Sequence, residues 1–211
     1  MPLPYSGLGY LISRNFGVEK TVYAIADAPE ATAQLIEAVN AANLRILDTI
    51  IDGPFDVLFI TDNMDGNVQT PERYDRYSRS YYTEVARRLH QRDKYLAVHV
   101  DGEMDGCLRN LRESGVDCVD AATPAPMFRL TPAEARRQAG GEMILSGGIP
   151  LTVFSRTGSD AAFDAAVRDW LQLKEASPRL ILAAGDQVPP NAPWERIARL
   201  PELVDQFGRY R

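Results

Sequence analysis

The stretch Leu96-Ala97-Val98-His99-Val100-Asp101-Gly102-Glu103 carries the reading of this chain. Four apolar or β-branched positions in near succession suit a strand buried on both faces, and the polar, glycine-bearing end reads as its exit loop. The same unit recurs on either side. Upstream, Val57-Leu58-Phe59-Ile60 is a second apolar run, ending in Thr61-Asp62-Asn63-Met64-Asp65-Gly66. Downstream come Val116-Asp117-Cys118-Val119, then Met143-Ile144-Leu145 leading into Ser146-Gly147-Gly148. Last is Leu180-Ile181-Leu182-Ala183-Ala184, which ends in Gly185-Asp186.

Helical patterns separate these runs. Thr70-Pro71-Glu72 opens one by capping, by the proline at its first position and by the favourable charge near its amino end. It is expected to run to about Gln91, with Tyr74, Tyr77, Tyr81, Tyr82, Val85 and Leu89 packing inward. A short helix is expected over 104–113. Thr131-Pro132-Ala133-Glu134 is a capping box. Asp160–Ala176 and Pro193–Phe207 complete the set, and Ala31–Ile50, preceded by Pro29, is a helix upstream of the first strand. Residues 1–28, with Pro2, Pro4, Gly7 and Gly9, read as irregular chain.

Five short apolar strands joined by crossover helices give a parallel α/β sheet. The expected architecture is a partial or divergent (β/α)8 TIM barrel in one domain spanning 1–211. The length of 211 residues is short for a complete barrel, so the first strands of the barrel are expected to be missing. Leu11–Val18 is expected to cover part of an open edge.

The formal charge of −6 and the lack of a basic run give no support for nucleic-acid binding. No apolar run could span a membrane and no leader pattern is present, so a cytoplasmic location is expected. Cys107 and Cys118 form neither a disulfide framework nor a CxxC site. No GxGxxG or GxxxxGK[ST] supports a nucleotide site.

Parallel strands deliver chemistry to their carboxyl ends. That rim is expected to gather Asp62, Asn63, Asp65, His99, Asp101, Glu103, Asp120, Thr123, Ser146 and Asp186. So many carboxylates call for a cation, or for donors that hold them. An acidic rim repels polyanions and suits a metal complex or a cationic substrate. His99 and Asp101 fall on one side of an extended chain. With Asp186 they could bind zinc or another divalent ion and leave a position open. Alternatively, His99 is a rim histidine hydrogen-bonded to Asp101.

The stretches Val98–Gly102, Leu111–Asp117, Asp120–Pro126, Ser146–Ile149 and Gly185–Pro193, in this order and spacing, resemble the uroporphyrinogen decarboxylase superfamily. That superfamily includes zinc-dependent methyltransferases that work with corrinoid carriers, and the resemblance implies a (β/α)8 barrel. In the methyltransferase branch a His-x-Cys pair and a distant cysteine bind zinc. His99 matches the histidine, and Asp101 and Asp186 stand where the two cysteines would be. The decarboxylase branch has a histidine where Gly185-Asp186-Gln187 lies, and its porphyrinogen substrates carry many carboxylates, which this rim does not suit.

The function these features imply is methyl transfer between a small donor and a thiol or corrinoid acceptor at a divalent-metal site. His99, Asp101 and Asp186 would be the ligands, and Asp62 and Glu103 would orient substrate beside the catalytic His99. Two alternatives stand beside it: decarboxylation of a small non-porphyrin substrate, and a non-catalytic binding or assembly subunit. Expected partners are a small-molecule substrate and either a second copy of the chain or a complementary barrel-half subunit.

Overall fold

A computed structural model describes residues 1–210. Six parallel strands lie side by side in chain order. They are β1 (Pro2–Leu3), β2 (Val57–Met64), β3 (Tyr95–Val100), β4 (Cys118–Ala122), β5 (Ile144–Ile149) and β6 (Leu180–Ala184). Strictly sequential order with helical crossovers is the barrel arrangement rather than the doubly wound one. The sheet is an open part of a (β/α) barrel.

The helices are α1 (Gly7–Tyr10), α2 (Gly17–Asp27), α3 (Pro29–Ile50), α4 (Pro71–Tyr77), α5 (Arg79–His90), α6 (Cys107–Glu113), α7 (Pro132–Ala139), α8 (Leu151–Phe154), α9 (Asp160–Leu171) and α10 (Trp194–Leu203). The expected caps form. Thr70 accepts from the Arg73 amide, and Thr131 and Glu134 close the capping box. The tyrosine-bearing helix breaks at Ser78 into α4 and α5. The break lets Tyr74 and Tyr82 stack, with ring centroids 5.5 Å apart.

One face of the sheet is closed by these helices. Leu58, Ile60, Leu96, Val98, Val100, Val119 and Leu145 are buried there among Tyr74, Tyr82, Val85, Leu89, Leu108 and Leu111. The alternate residues, among them Val57, Phe59, Tyr95, His99, Cys118, Asp120 and Ile181, occupy the other, concave face and keep solvent contact.

The amino-terminal segment departs from the irregular chain expected of it. Pro2–Leu3 adds a sixth strand at the β2 edge, where a residue without an N–H is tolerated. Ser6 caps α1 by accepting from the Gly9 amide. Leu8 and Leu11 pack with Ile36 and Tyr77, so residues 11–15 serve a small core of their own. Strand β5 extends through Ser146-Gly147-Gly148, which the sequence placed in an exit loop. Gly147 has φ +140° and Gly148 φ +98°. The Gly148 Cα sits against the Trp170 indole, with no room for a side chain.

Candidate functional site

A cavity of about 520 Å³ opens on the concave face at the carboxyl ends of the strands. Phe59, Thr61 and Asn63 of β2 form one wall, and His99 and Asp101 come from β3 and its exit. Asp120 and Ala121 come from β4, and Ala183, Ala184, Asp186 and Gln187 from β6 and its loop. His99 and Asp101, from one strand end, and Asp186, from another, therefore face one space, as expected.

His99 and Asp120 occupy paired positions in the β3–β4 register, so their side chains emerge together on the same face. His99 Nδ1 lies 2.9 Å from Asp120 Oδ2, and the Ser146 hydroxyl donates to Asp120 Oδ1 at 3.3 Å. The histidine's partner is thus Asp120, not Asp101. Strand register, which a single strand's alternation cannot supply, makes that choice. Immediately beyond Asp120 the register slips between Val119 and Ala122, and Ala121 takes φ +62°. Such irregularities commonly re-aim side chains beside a site.

The hydrogen bond to Asp120 holds the His99 imidazole above its ordinary pKa. Burial opposes this, and the charges of Asp120, Asp101 and Asp186 add to it. The same hydrogen bond lowers the Asp120 carboxyl. With Nδ1 engaged by a carboxylate, the tautomer that carries its proton on Nδ1 is favoured, which frees Nε2 as the reactive nitrogen. Phe59 meets the His99 ring edge-on, with centroids 6.2 Å apart.

Asp62 and Glu103 lie elsewhere. Strand β2 continues to Met64, so Asp62 shares the outward phase of Leu58 and Ile60. It is 1% exposed and accepts from the Ser6 amide and the Tyr82 hydroxyl, each at 2.7 Å, and from the Ser6 hydroxyl. Burial raises its pKa against these bonds. Glu103 is 4% exposed and folds back on its loop, accepting from the amides of Met104, Asp105 and Arg129. Both carboxylates anchor backbone outside the cavity lining. Burial pushes the thiols of Cys107 and Cys118 up to about 12, so neither is a ready nucleophile.

His99, Asp101 and Asp186 are donor types that zinc accepts. Asp120 holds His99 Nδ1 and leaves Nε2 free, the arrangement that commonly supports a metal-ligating histidine, and no sulfur lines the cavity. Among the described residues, no three His, Cys, Asp or Glu side chains converge closely enough to hold an ion. No helix among these residues is long and apolar enough to cross a membrane.

The family profile described as uroporphyrinogen decarboxylase (URO-D) matches residues 4–207. No curated protein matches the chain. Among solved structures, a methyltransferase from Methanosarcina mazei superposes with a TM-score of 0.75 at 15% identity. The match covers 99% of this chain and 59% of that one. At that identity the likeness speaks for the fold.

Proposed function

Since the chain belongs to the uroporphyrinogen decarboxylase (URO-D) family, we propose that it transfers a methyl group from a small donor to a thiol acceptor in the cavity around His99. The observation that carries this reading is the Asp120–His99 pair, 2.9 Å apart in the cavity wall at the carboxyl end of the sheet.

A thiol with an ordinary pKa near 8.5 is a weak nucleophile at neutral pH and needs a base. His99 Nε2 takes the thiol proton as sulfur attacks the methyl carbon. The bond from carbon to the donor's leaving atom breaks, and its electron pair stays with that atom. The imidazolium, stabilised through Nδ1 by Asp120, then returns the proton to the leaving group. Asp120 remains ionised throughout and acts as a positioning residue.

The three carboxylates outnumber the one imidazole, so the cavity disfavours anionic substrates. This argues against a polycarboxylate such as a porphyrinogen. It also sets decarboxylation of small acids behind methyl transfer to a neutral or cationic partner. The methyltransferase fold of the Methanosarcina mazei structure adds support at the level of architecture.

The test pairs purified protein with isotopically methyl-labelled donors of matched size and different charge, and with a small thiol such as 2-mercaptoethanol. Formation of labelled thioether is followed by mass spectrometry. Turnover is expected with neutral or cationic donors and should fall by about 10²–10⁴ in His99→Gln. A His99→Gln variant that is folded and as active as the parent refutes the assignment.

A further inference from the structure

Most acids at the carboxyl end of the sheet are already held. Asp62 accepts from Ser6 and Tyr82, Asp65 from the amides of Asn67 and Glu103, and Glu103 from three amides, while Asp120 lies against His99 and Ser146. Asp101 and Asp186 have no hydrogen-bond or ion-pair partner among the described residues, and both line the cavity. The rest of that lining is unlike a cage for a bare ion. Phe59, Ala121, Ala183 and Ala184 present carbon surface beside the carboxylates, and a volume of about 520 Å³ falls in the range of small-molecule pockets. Asn63 (φ +47°), Asp93 and Ala121 (φ +62°) are the residues other than glycine with positive φ among those described, and the first and last of them line this cavity. Backbone strain of that kind gathers at ligand sites, where the surrounding structure holds it in place.

We infer that the methyl donor is a quaternary ammonium ion, seated with its charge facing Asp101 and Asp186 and its alkyl groups against Phe59 and the alanines. This identity rests on the methyl transfer proposed for the same cavity. A quaternary ammonium ion has an apolar skin, a diffuse positive charge and no N–H to donate. Carboxylates therefore hold it by charge alone, an aromatic ring holds it by cation–π attraction, and small apolar side chains pack on its methyl groups. Those three elements make up the lining around His99. Both carboxylates lie near enough to His99 for their charge to act on its imidazole, so a cation held by them sits beside the reactive nitrogen.

The chemistry of the step selects the same class. A neutral amine gives up a methyl group only by leaving as an amide anion, whereas a quaternary ammonium ion leaves as a neutral tertiary amine. The thiol sulfur bonds to the methyl carbon, the carbon–nitrogen bond breaks, and its electron pair stays on nitrogen. The proton that His99 Nε2 takes from the thiol passes to that amine, so the products are a thioether and a trialkylammonium ion. One positive charge is present at every stage, on the donor, then on the imidazolium, then on the protonated amine. Asp101 and Asp186 face it throughout, with no reorganisation as it moves. A sulfonium donor would also leave as a neutral group, but the thioether it becomes does not accept the proton.

Equilibrium binding without any thiol tests this. Choline and its neutral carbon isostere, 3,3-dimethylbutan-1-ol, are titrated into the purified, chelator-treated protein and followed by calorimetry and by the NMR signals of His99. Choline is expected to bind at least about tenfold more tightly than the isostere and to shift the His99 signals, and its affinity should fall as salt is raised. The double variant Asp101→Asn/Asp186→Asn should lose the preference for choline. His99→Gln should keep it in the calorimeter, because that change removes the base and leaves the carboxylates in place. Equal affinity for the two probes overturns the proposal. So does an undiminished preference in the double variant, or choline binding that appears only when zinc is added. The proposed activity fails separately: choline bound as expected, with no labelled thioether once thiol is supplied, removes methyl transfer and keeps the ligand class. Labelled thioether formed from neutral donors alone keeps the activity and removes the class.

Discussion

Replacing Asp62 with alanine separates an anchoring carboxylate from a catalytic one. In the folded chain this side chain ties the amino-terminal segment to β2 and α5 through the Ser6 amide, the Ser6 hydroxyl and the Tyr82 hydroxyl. Alanine strands at least two of these donors in a site 1% exposed. Each buried donor left without an acceptor costs about 1–3 kcal/mol, so the gross penalty is about 2–6 kcal/mol. Relief from burying a carboxylate offsets part of it, leaving an expected net loss of about 2–4 kcal/mol. That is a large share of a typical domain stability of about 5–15 kcal/mol.

The sign of its pH dependence is fixed by the raised pKa of Asp62. A group whose folded pKa lies above its unfolded value of about 3.9 contributes fully below that value. Its contribution is lost as the pH rises through the folded pKa. The loss on Asp62→Ala is therefore expected to be greatest in mild acid and smaller at neutral pH. Urea unfolding followed by circular dichroism at both pH values measures it. An unchanged midpoint, or a larger loss at neutral pH than in acid, would show that the reasoning about this buried network is wrong.

Two other substitutions probe the site and its support. Asp120→Asn removes the partner that raises His99 and is itself lowered by it, so the His99 proton titration followed by NMR should move to lower pH. In the parent the His99 contribution is present below about 6.5 and fades as the pH rises through its folded value. The Asp120 contribution is present above about 3.9 and fades as the pH falls through its own folded value. The variant should thus lose stability mainly between those limits, and a His99 midpoint that stays in place would exclude the coupling. Gly148→Ala puts a Cβ 2.1 Å from the Trp170 ring at φ +98°, whereas a Cβ on Gly141 meets nothing within 4 Å. The first should cost about 2–5 kcal/mol, combining left-handed backbone strain with overpacking. Gly141→Ala should stay within about 0.5 kcal/mol, and equal thermal midpoints for the two variants would contradict the packing described here.

The sequence by itself determined the alternation of strands and helices from Val57 onward, the parallel class of the sheet and the end of it that gathers polar chemistry. These follow from local signals: apolar runs of strand length, capping residues and turn-forming glycines and prolines. Phe59, which lines the cavity, was legible only as one apolar residue in such a run. Tertiary structure decided which carboxylate meets His99, because a partner in a parallel sheet is set by register between strands rather than by spacing within one. It also decided that Asp62 faces the helices, since extending β2 by four residues fixes the side on which each side chain emerges. And it drew Pro2–Leu3 into the sheet, because an edge strand so short owes its order to the neighbour that pairs with it.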